Sequence, residues 1–285
     1  MRTNFHLIDR SIPGTKLFAM PYIINNNHFI KHIMEKLTNY FGQNIKDKKI
    51  VITGGTTGIG KAIADVLVSL GGRVLIFGRD QKDFEKAVAH IKKQFPDSEL
   101  YGTPADVTKK EDIDKILAIA DTELGGIDIL INNAAVAAPG LVEETYEDYK
   151  YAIDTNITGY LAFAQAAATR MKKQKSGHII NIGSMSAESR TPESTIYVAT
   201  KTAIRGFSTS LRKELNPLGI KVSLIEPGAV TSDMQTDPKK VQHEKVEKLE
   251  MLEAYDIAMS TLFCLSQPKR CDIVTMQIRP HLQII

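Results

Sequence analysis

Apolar residues fall into two alternating rhythms from residue 49 onward. Short unbroken runs at 49–53, 73–77, 98–102, 127–131, 178–182, 221–225 and 273–278 read as strands buried on both faces. Between most of them, apolar positions recur at helical spacing: Ile59, Ile63, Val66, Leu67 and Leu70, then Phe84, Ala87, Val88, Ile91 and Phe95, then Ile113, Leu117, Ala120 and Leu124. Strands alternating with helices call for a parallel sheet covered on both sides. Right-handed crossovers reduce the arrangements to an α/β doubly wound parallel sheet of about seven strands. In such sheets a ligand lies beyond the carboxyl ends of the strands. Asp106, Asn133, Ser184 and Pro227 all follow strand-like runs, so they should line one edge.

Residues 1–45 stand outside this alternation, as an extension ahead of a domain over 46–285. Phe29, Ile33, Leu37 and Phe41 recur at helical spacing and predict an amphipathic helix over 28–41. That helix either packs on the domain or a second subunit, or touches a membrane surface with Lys31 and Lys36 beside its apolar face. Met34 is also a candidate internal start. The longest apolar run, 17–24, contains Pro21 and is too short to span a bilayer, and no secretory cleavage pattern follows it.

The full 285 residues suffice for one α/β domain with a large core. A formal charge of +3 with 24% charged residues gives no support for nucleic-acid binding. Cys264 and Cys271 fit no metal spacing, and the seven histidines include no paired ligand motif, so no metal is expected. Cys264, in the run Thr-Leu-Phe-Cys-Leu, reads as a small core residue in a reducing, cytoplasmic setting.

Two motifs carry chemistry. The first strand runs into Gly54-Gly-Thr-Thr-Gly58-Ile-Gly60 and then into a helix. That order offers a pyrophosphate free backbone N–H groups and a positive helix end. The spacing is G-x-x-x-G-x-G, not the commoner G-x-G-x-x-G. A glycine turn alone is weak evidence, but one between a buried strand and an amphipathic helix favours a nucleotide site. The second motif, Tyr197-Val-Ala-Thr-Lys201, sets a phenol and an ammonium on one helix face. Ser184 lies thirteen residues before it, at the end of a strand. Tyr146 and Lys150 repeat the Tyr–Lys spacing, but thirteen residues before Tyr146 stands Asn133. Ser186 rivals Ser184, and the spacing favours Ser184.

Taken together, these signals make residues 46–280 resemble the short-chain dehydrogenase/reductase family. The resemblance rests on Thr53-Gly54-x-x-x-Gly58-Ile-Gly60, Asp106-Val107, Asn132-Asn133-Ala134-Ala135, Asn156, Ser184, Tyr197-x-x-x-Lys201 and Pro227-Gly228-x-x-Thr231, in that order. Ala135 departs from the family's usual glycine, a commonly tolerated change. The resemblance implies a Rossmann-type fold and an oxidoreductase interconverting a small-molecule alcohol and carbonyl by hydride transfer with a nicotinamide cofactor. It further implies a homodimer or homotetramer, to which the apolar helices around 162–168 and 203–211 are suited.

By the same resemblance, Asn156, Ser184, Tyr197 and Lys201 are the catalytic set. Gly54, Thr56, Thr57, Gly58, Ile59 and Gly60 would hold the cofactor's phosphates. Asp106, beside Val107, would accept from the adenine amino group, while Asn133, Ala134 and Ala135 run along the adenosine ribose. Pro227, Gly228, Val230 and Thr231 would hold the nicotinamide amide, with Tyr197 and Lys201 near its ribose. Asn156 would position a water in a relay to Lys201. Each has a plain structural alternative as a loop or cap residue; Asn132 is the most ambiguous.

Cofactor choice turns on the end of the second strand. An NAD site places a carboxylate there, but here the strand ends Phe77-Gly78-Arg79. A guanidinium suits a 2′-phosphate, and Thr57 can add a hydroxyl. Alternatively Arg79 is a surface residue and Asp80 caps the next helix. NADP is favoured over NAD. In the chemistry, a lysine charge about 5 Å from a phenol favours the phenolate by roughly 3 kcal/mol at an effective dielectric of about 20, so the Tyr197 pKa is expected to fall toward the working range of a general acid/base. Ser184 would stabilise charge on the substrate oxygen.

The alternative function is a non-catalytic NADP-binding regulator or scaffold on the same fold, against which the intact Asn–Ser–Tyr–Lys set argues. A serine hydrolase lacks its G-x-S-x-G elbow. Met185, Ser186, Glu188, Pro192 and a lid between Thr231 and about residue 250 should form the substrate pocket. The closing Gln277-Ile-Arg-Pro280 is similar to family members acting on small 3-hydroxy acids, serine-type substrates included.

Overall fold

The computed structural model describes residues 44–283; the expected helix over 28–41 lies outside them. Seven strands form one parallel sheet: β1 (Lys49–Thr53), β2 (Arg73–Phe77), β3 (Leu100–Gly102), β4 (Ile129–Asn132), β5 (Gly177–Ile182), β6 (Ile220–Pro227) and β7 (Thr275–Ile278). Their order is β3-β2-β1-β4-β5-β6-β7, so the chain reverses direction of travel between β1 and β4. The helices between them are α1 (Gly58–Ser69), α2 (Gln81–Gln94), α3 (Lys110–Ile119), α4 (Tyr146–Ile153), α5 (Gly159–Gln174), the single turn α6 (Ser186–Ser189), α7 (Thr195–Leu215), α8 (Lys239–Glu247) and α9 (Ala254–Leu265).

Alternate strand residues separate into two cores. Ile50, Ile52, Val74, Ile76, Ile131 and Ile180 pack with Ile63 and Leu67 of α1 and with Ile257 and Leu262 of α9. Val51, Leu75, Phe77, Leu130 and Ile179 face the other way, onto Ile116 of α3, Phe163 and Ala167 of α5 and Leu211 of α7. Period-two side chains buried on both faces are what continuous apolar strands require. Cys264 is buried in the first of these cores. Burial pushes its thiol up to about 12, which leaves it an inert packing group.

Several strand ends differ from the sequence pattern. Ile127 is buried yet precedes β4, because Asp128 instead accepts from the Lys49 backbone N–H at 3.0 Å. β6 runs on through Glu226 and Pro227 to meet β7. Ile45 is fully buried, and the Asn44 amide donates to the Ser266 carbonyl at 3.1 Å, so close packing begins ahead of β1. Two helices end in wide π turns, Ala120–Leu124 and Asp154–Thr158; periodicity read the first of these as continuous helix. Among the described residues no helix is long and apolar enough to cross a membrane.

The β1–α1 turn is packed against β4 without room to spare. A Cβ added to Gly60 would stand 2.1 Å from the Gly54 carbonyl and 2.5 Å from the Asn133 amide nitrogen. Gly60→Ala is therefore expected to lower unfolding free energy by about 3 kcal/mol, the upper range for overpacking, in urea titrations read by circular dichroism.

Candidate active site

At the carboxyl ends of β1 and β2 lies a cleft of about 700 Å³. Its walls include Gly54, Thr56, Thr57, Gly58, Ile59, Arg79, Val107, Asn133, Ala134 and Ala135. Gly54 adopts φ +63° and Gly58 φ +50°, the left-handed region that glycine enters freely. Thr57 occupies the N-cap position of α1 yet makes no capping hydrogen bond, and the first turn of α1 carries no acid. The helix end is thus available to an anion. Neighbouring strands brace the turn: Thr53 Oγ1 accepts from the Asn133 and Ala134 N–H groups, both at 2.9 Å. The Asn133 amide donates back to the Thr53 and Gly54 carbonyls at 3.0 Å each. Thr53 and the side-chain role of Asn133 as a strut were not foreseen from sequence.

Arg79 borders the same cleft, and the Tyr151 hydroxyl accepts from its guanidinium. Asp80 caps α2 by accepting from the Asp83 N–H at 2.9 Å, so the expected cap and the basic cleft wall both exist. Asp106 is not among the lining residues. Its Oδ1 accepts from the Thr108 N–H and hydroxyl at 2.9 Å, and its Oδ2 from Tyr151 at 3.3 Å.

A second cavity of about 300 Å³ shares Ile59, Asn133, Ala135, Ala137, Ser232 and Met234 with the first, so the two are ends of one groove. Ser184, Tyr197 and Lys201 meet at its wall, joined by Pro227, Gly228 and Val230. The Ser184 hydroxyl donates to Ser186 Oγ at 3.0 Å and accepts from the Ser186 N–H at 3.1 Å. The two serines are thus partners in one pocket. The Lys201 ammonium donates to the Ile182 carbonyl at 3.0 Å and lies 5.6 Å from the Tyr197 ring centroid and 5.4 Å from that of Tyr160. Tyr160 donates to the same Ile182 carbonyl at 2.9 Å.

Electrostatics here reverse the expected sign. Lys201 is 2% exposed, and burial lowers its pKa to about 7. Burial also raises the Tyr197 phenol, and only the neighbouring Ser184 hydroxyl draws it back. The Coulombic argument assumed a full ammonium charge; loss of water removes that charge first.

Asn156 lines neither cavity. It sits fully buried in the π turn between α4 and α5. Its Oδ1 accepts from the Val136 N–H at 2.8 Å, and its Nδ2 donates to the Val136 carbonyl at 2.9 Å and to Thr200 Oγ1 at 3.2 Å. It therefore ties the strand-end loop to α7 one residue from Lys201. Asn132 is structural, donating to the Tyr160 carbonyl and to Asn181. Gly60 and Thr231 are likewise not among the lining residues; the Thr231 N–H donates to the Leu252 carbonyl at 2.9 Å.

Other expectations need correction. Glu188 is held by Arg205 at 2.6 Å, and neither it nor Pro192 lines the pocket. The decoy pair is separated by use: Tyr146 is exposed, and Lys150 pairs with Asp154. The stretch after Thr231 is organised by buried Gln242, which accepts from the Ser232 N–H and donates to the Ser232 and Asp237 carbonyls. Sequence reasoning also missed Gln283, which lines the pocket and accepts from the Ala229 N–H at 3.0 Å. His178 does bond a serine, Ser223, at 2.9 Å, but burial holds it at about 4 and it lies among the strands, away from the groove.

Comparisons with known proteins agree with this fold. The family model described as short chain dehydrogenase matches residues 48–243. An uncharacterized oxidoreductase of Staphylococcus aureus (strain USA300) is 36% identical over 237 residues, 83% of this chain and 98% of the relative. One from Staphylococcus saprophyticus is 33% identical over 240 residues, with the same coverage. The closed form of serine dehydrogenase complexed with NADP+ superposes with a TM-score of 0.72 at 30% identity, covering 83% of this chain and 96% of that one. A short-chain type dehydrogenase/reductase from Mycobacterium ulcerans superposes with a TM-score of 0.74 at 20% identity, covering 83% and 90%, a likeness of fold alone.

The buried amine makes a prediction about stability. Between about 7 and its ordinary 10.5, Lys201 holds a proton in the unfolded chain but not in the folded one. Stability therefore rises with pH through that window, and the penalty is greatest below it. Lys201→Met should melt above the wild type at pH 6.5, by several degrees, and the gap should shrink steadily toward pH 10 in calorimetric scans.

Proposed function

The chain belongs to the short chain dehydrogenase family, and we propose that it is an NADP(H)-dependent oxidoreductase interconverting a small-molecule alcohol and its carbonyl. The observation that carries this reading is the meeting of Ser184, Tyr197 and Lys201 in one cavity continuous with the glycine-turn cleft. A binding protein has no use for a buried phenol beside an amine near neutrality.

The residues present fit the cofactor. The glycine turn and the uncapped start of α1 suit its pyrophosphate, and Arg79 with Thr57 suits a 2′-phosphate. Pro227, Gly228 and Val230 would hold the nicotinamide end. When bound, NADP(H) supplies the hydride donor or acceptor, and its oxidised ring adds a positive charge. Ser184 hydrogen-bonds the substrate oxygen and steadies negative charge developing there. Tyr197 gives its hydroxyl proton to that oxygen in reduction and removes one in oxidation. Lys201, near 7, exchanges protons readily at physiological pH and can replenish the phenol. Asn156 holds the loop and α7 at fixed separation.

The substrate is a small polar hydroxy compound. Hydroxyls of Ser184, Ser186, Ser189 and Ser194 line the cavity together with Met185 and Met234. That the similar serine dehydrogenase is described with NADP+ supports both the cofactor and the substrate class.

A panel of small hydroxy acids, ketones and alcohols, scored by nicotinamide absorbance with NADPH or NADP+, tests the proposal. Tyr197→Phe should lower kcat by about 10²–10⁴-fold and Ser184→Ala by about 10²–10³-fold, with NADPH still bound. Turnover within fivefold of wild type in Tyr197→Phe would sink the mechanism.

A further inference from the structure

We infer that Tyr151 is a positioning residue that sets NADP(H) over NAD(H) selectivity by holding Arg79 at the cleft wall. This rests on the NADP(H) reading above and deepens it. Arg79 is exposed and stands two residues past the end of β2. A long exposed guanidinium loses considerable rotamer freedom on meeting a ligand, so a residue that holds it beforehand strengthens binding. Tyr151 does this in two ways. Its hydroxyl accepts from Arg79 Nη1, and its ring centroid lies 5.2 Å from the Arg79 guanidinium carbon. The same hydroxyl donates to Asp106 Oδ2 at 3.3 Å, and Asp106 is itself fixed by Thr108. A chain of hydrogen bonds thus runs from the loop after β3, through α4, to the end of β2.

The directions of these bonds are consistent. Burial raises the Tyr151 phenol, so it stays protonated at neutral pH, donating to the carboxylate and accepting from the guanidinium. The carboxylates nearest Arg79 in sequence, Asp80 and Asp83, share the cleft wall with it but have other partners: Asp80 caps α2, and Asp83 pairs with Lys86 at 3.3 Å. Among the described residues no ion pair neutralises Arg79, so its charge faces the cleft while its orientation is set by a neutral partner. An acidic partner would compete with a phosphate. A phenol does not.

The test uses the full chain and two adenosine ligands, 2′,5′-ADP and 5′-AMP, which differ by the 2′-phosphate, titrated in a calorimeter. Tyr151→Phe keeps the ring and should weaken 2′,5′-ADP by about fivefold; Tyr151→Leu removes both contacts and should weaken it by about tenfold or more. Both should bind 5′-AMP within about twofold of wild type, and the NADPH-to-NADH ratio of kcat/KM should fall in parallel. Equal losses for the two ligands would make Tyr151 a general structural residue and overturn the proposal, as would unchanged 2′,5′-ADP affinity in both variants. Arg79→Ala separates the proposal from its premise. If wild type binds both ligands equally, or if Arg79→Ala keeps the preference, the NADP(H) reading falls and this proposal with it.

Discussion

An amine buried beside two aromatic rings is the constraint around which the groove is arranged. Lys201 has lost nearly all its water, and one main-chain carbonyl, that of Ile182, replaces it. Such a group is expensive in its charged form, so its proton is held loosely at neutral pH. The same desolvation acts on Tyr197 in the opposite sense, raising a phenol while the lysine falls. Burial thus separates two groups whose ordinary proton affinities lie close together, moving the phenol up and the amine down. That order favours a neutral phenol beside a weakly protonated amine over a fixed ion pair, and any proton on the amine passes downhill to a phenolate.

Holding that amine in place requires the helix beneath it to be fixed along its axis. Tyr197, Lys201 and Arg205 fall four residues apart on one stripe of α7. The first two reach the groove, and Arg205 grips buried Glu226 with two bonds, of 2.7 and 3.0 Å. Gln277 of β7 adds a third bond to that carboxylate at 3.1 Å. Glu226 immediately precedes the Pro227-Gly228 turn, so the pair locks α7 to the strand end that forms the pocket's far wall. A buried ion pair of this sort adds little net stability. Its contribution is register.

The sheet and its order of elements were legible because apolar period and glycine placement are local signals. The Ser184–Tyr197–Lys201 meeting was legible for a similar reason, since each residue sits at a strand end or on a helix face that the pattern already placed. What stayed hidden depends on contacts between distant segments. Arg205 and Glu226 are ordinary surface letters until β6 is known to end beside α7. Gln283 is a tail residue until its carbonyl oxygen meets the Ala229 N–H. The direction of the Tyr197 shift was misjudged because spacing along a helix reports distance between charges but not the water each has lost. Glu188 was assigned to the pocket by its nearness in sequence to Ser184, whereas the one-turn helix α6 directs it to Arg205.

The π turn at Asn156 shows how one local irregularity serves both ends of the groove. A regular helix from Tyr146 to Gln174 would carry Asn156 on a 3.6-residue period. The wider turn is closed by a bond from the Gly159 N–H to the Asp154 carbonyl, five residues apart. Ahead of the turn, α4 presents Tyr151 to Arg79; within it, the Asn156 amide exchanges two bonds with Val136 and one with Thr200. Val136 lines the larger cleft, and Thr200 precedes Lys201. The amide has no bond left to give, so the loop after β4 and the helix bearing Tyr197 and Lys201 are held together by groups outside the groove. The groove's own polar groups are thereby left to a ligand.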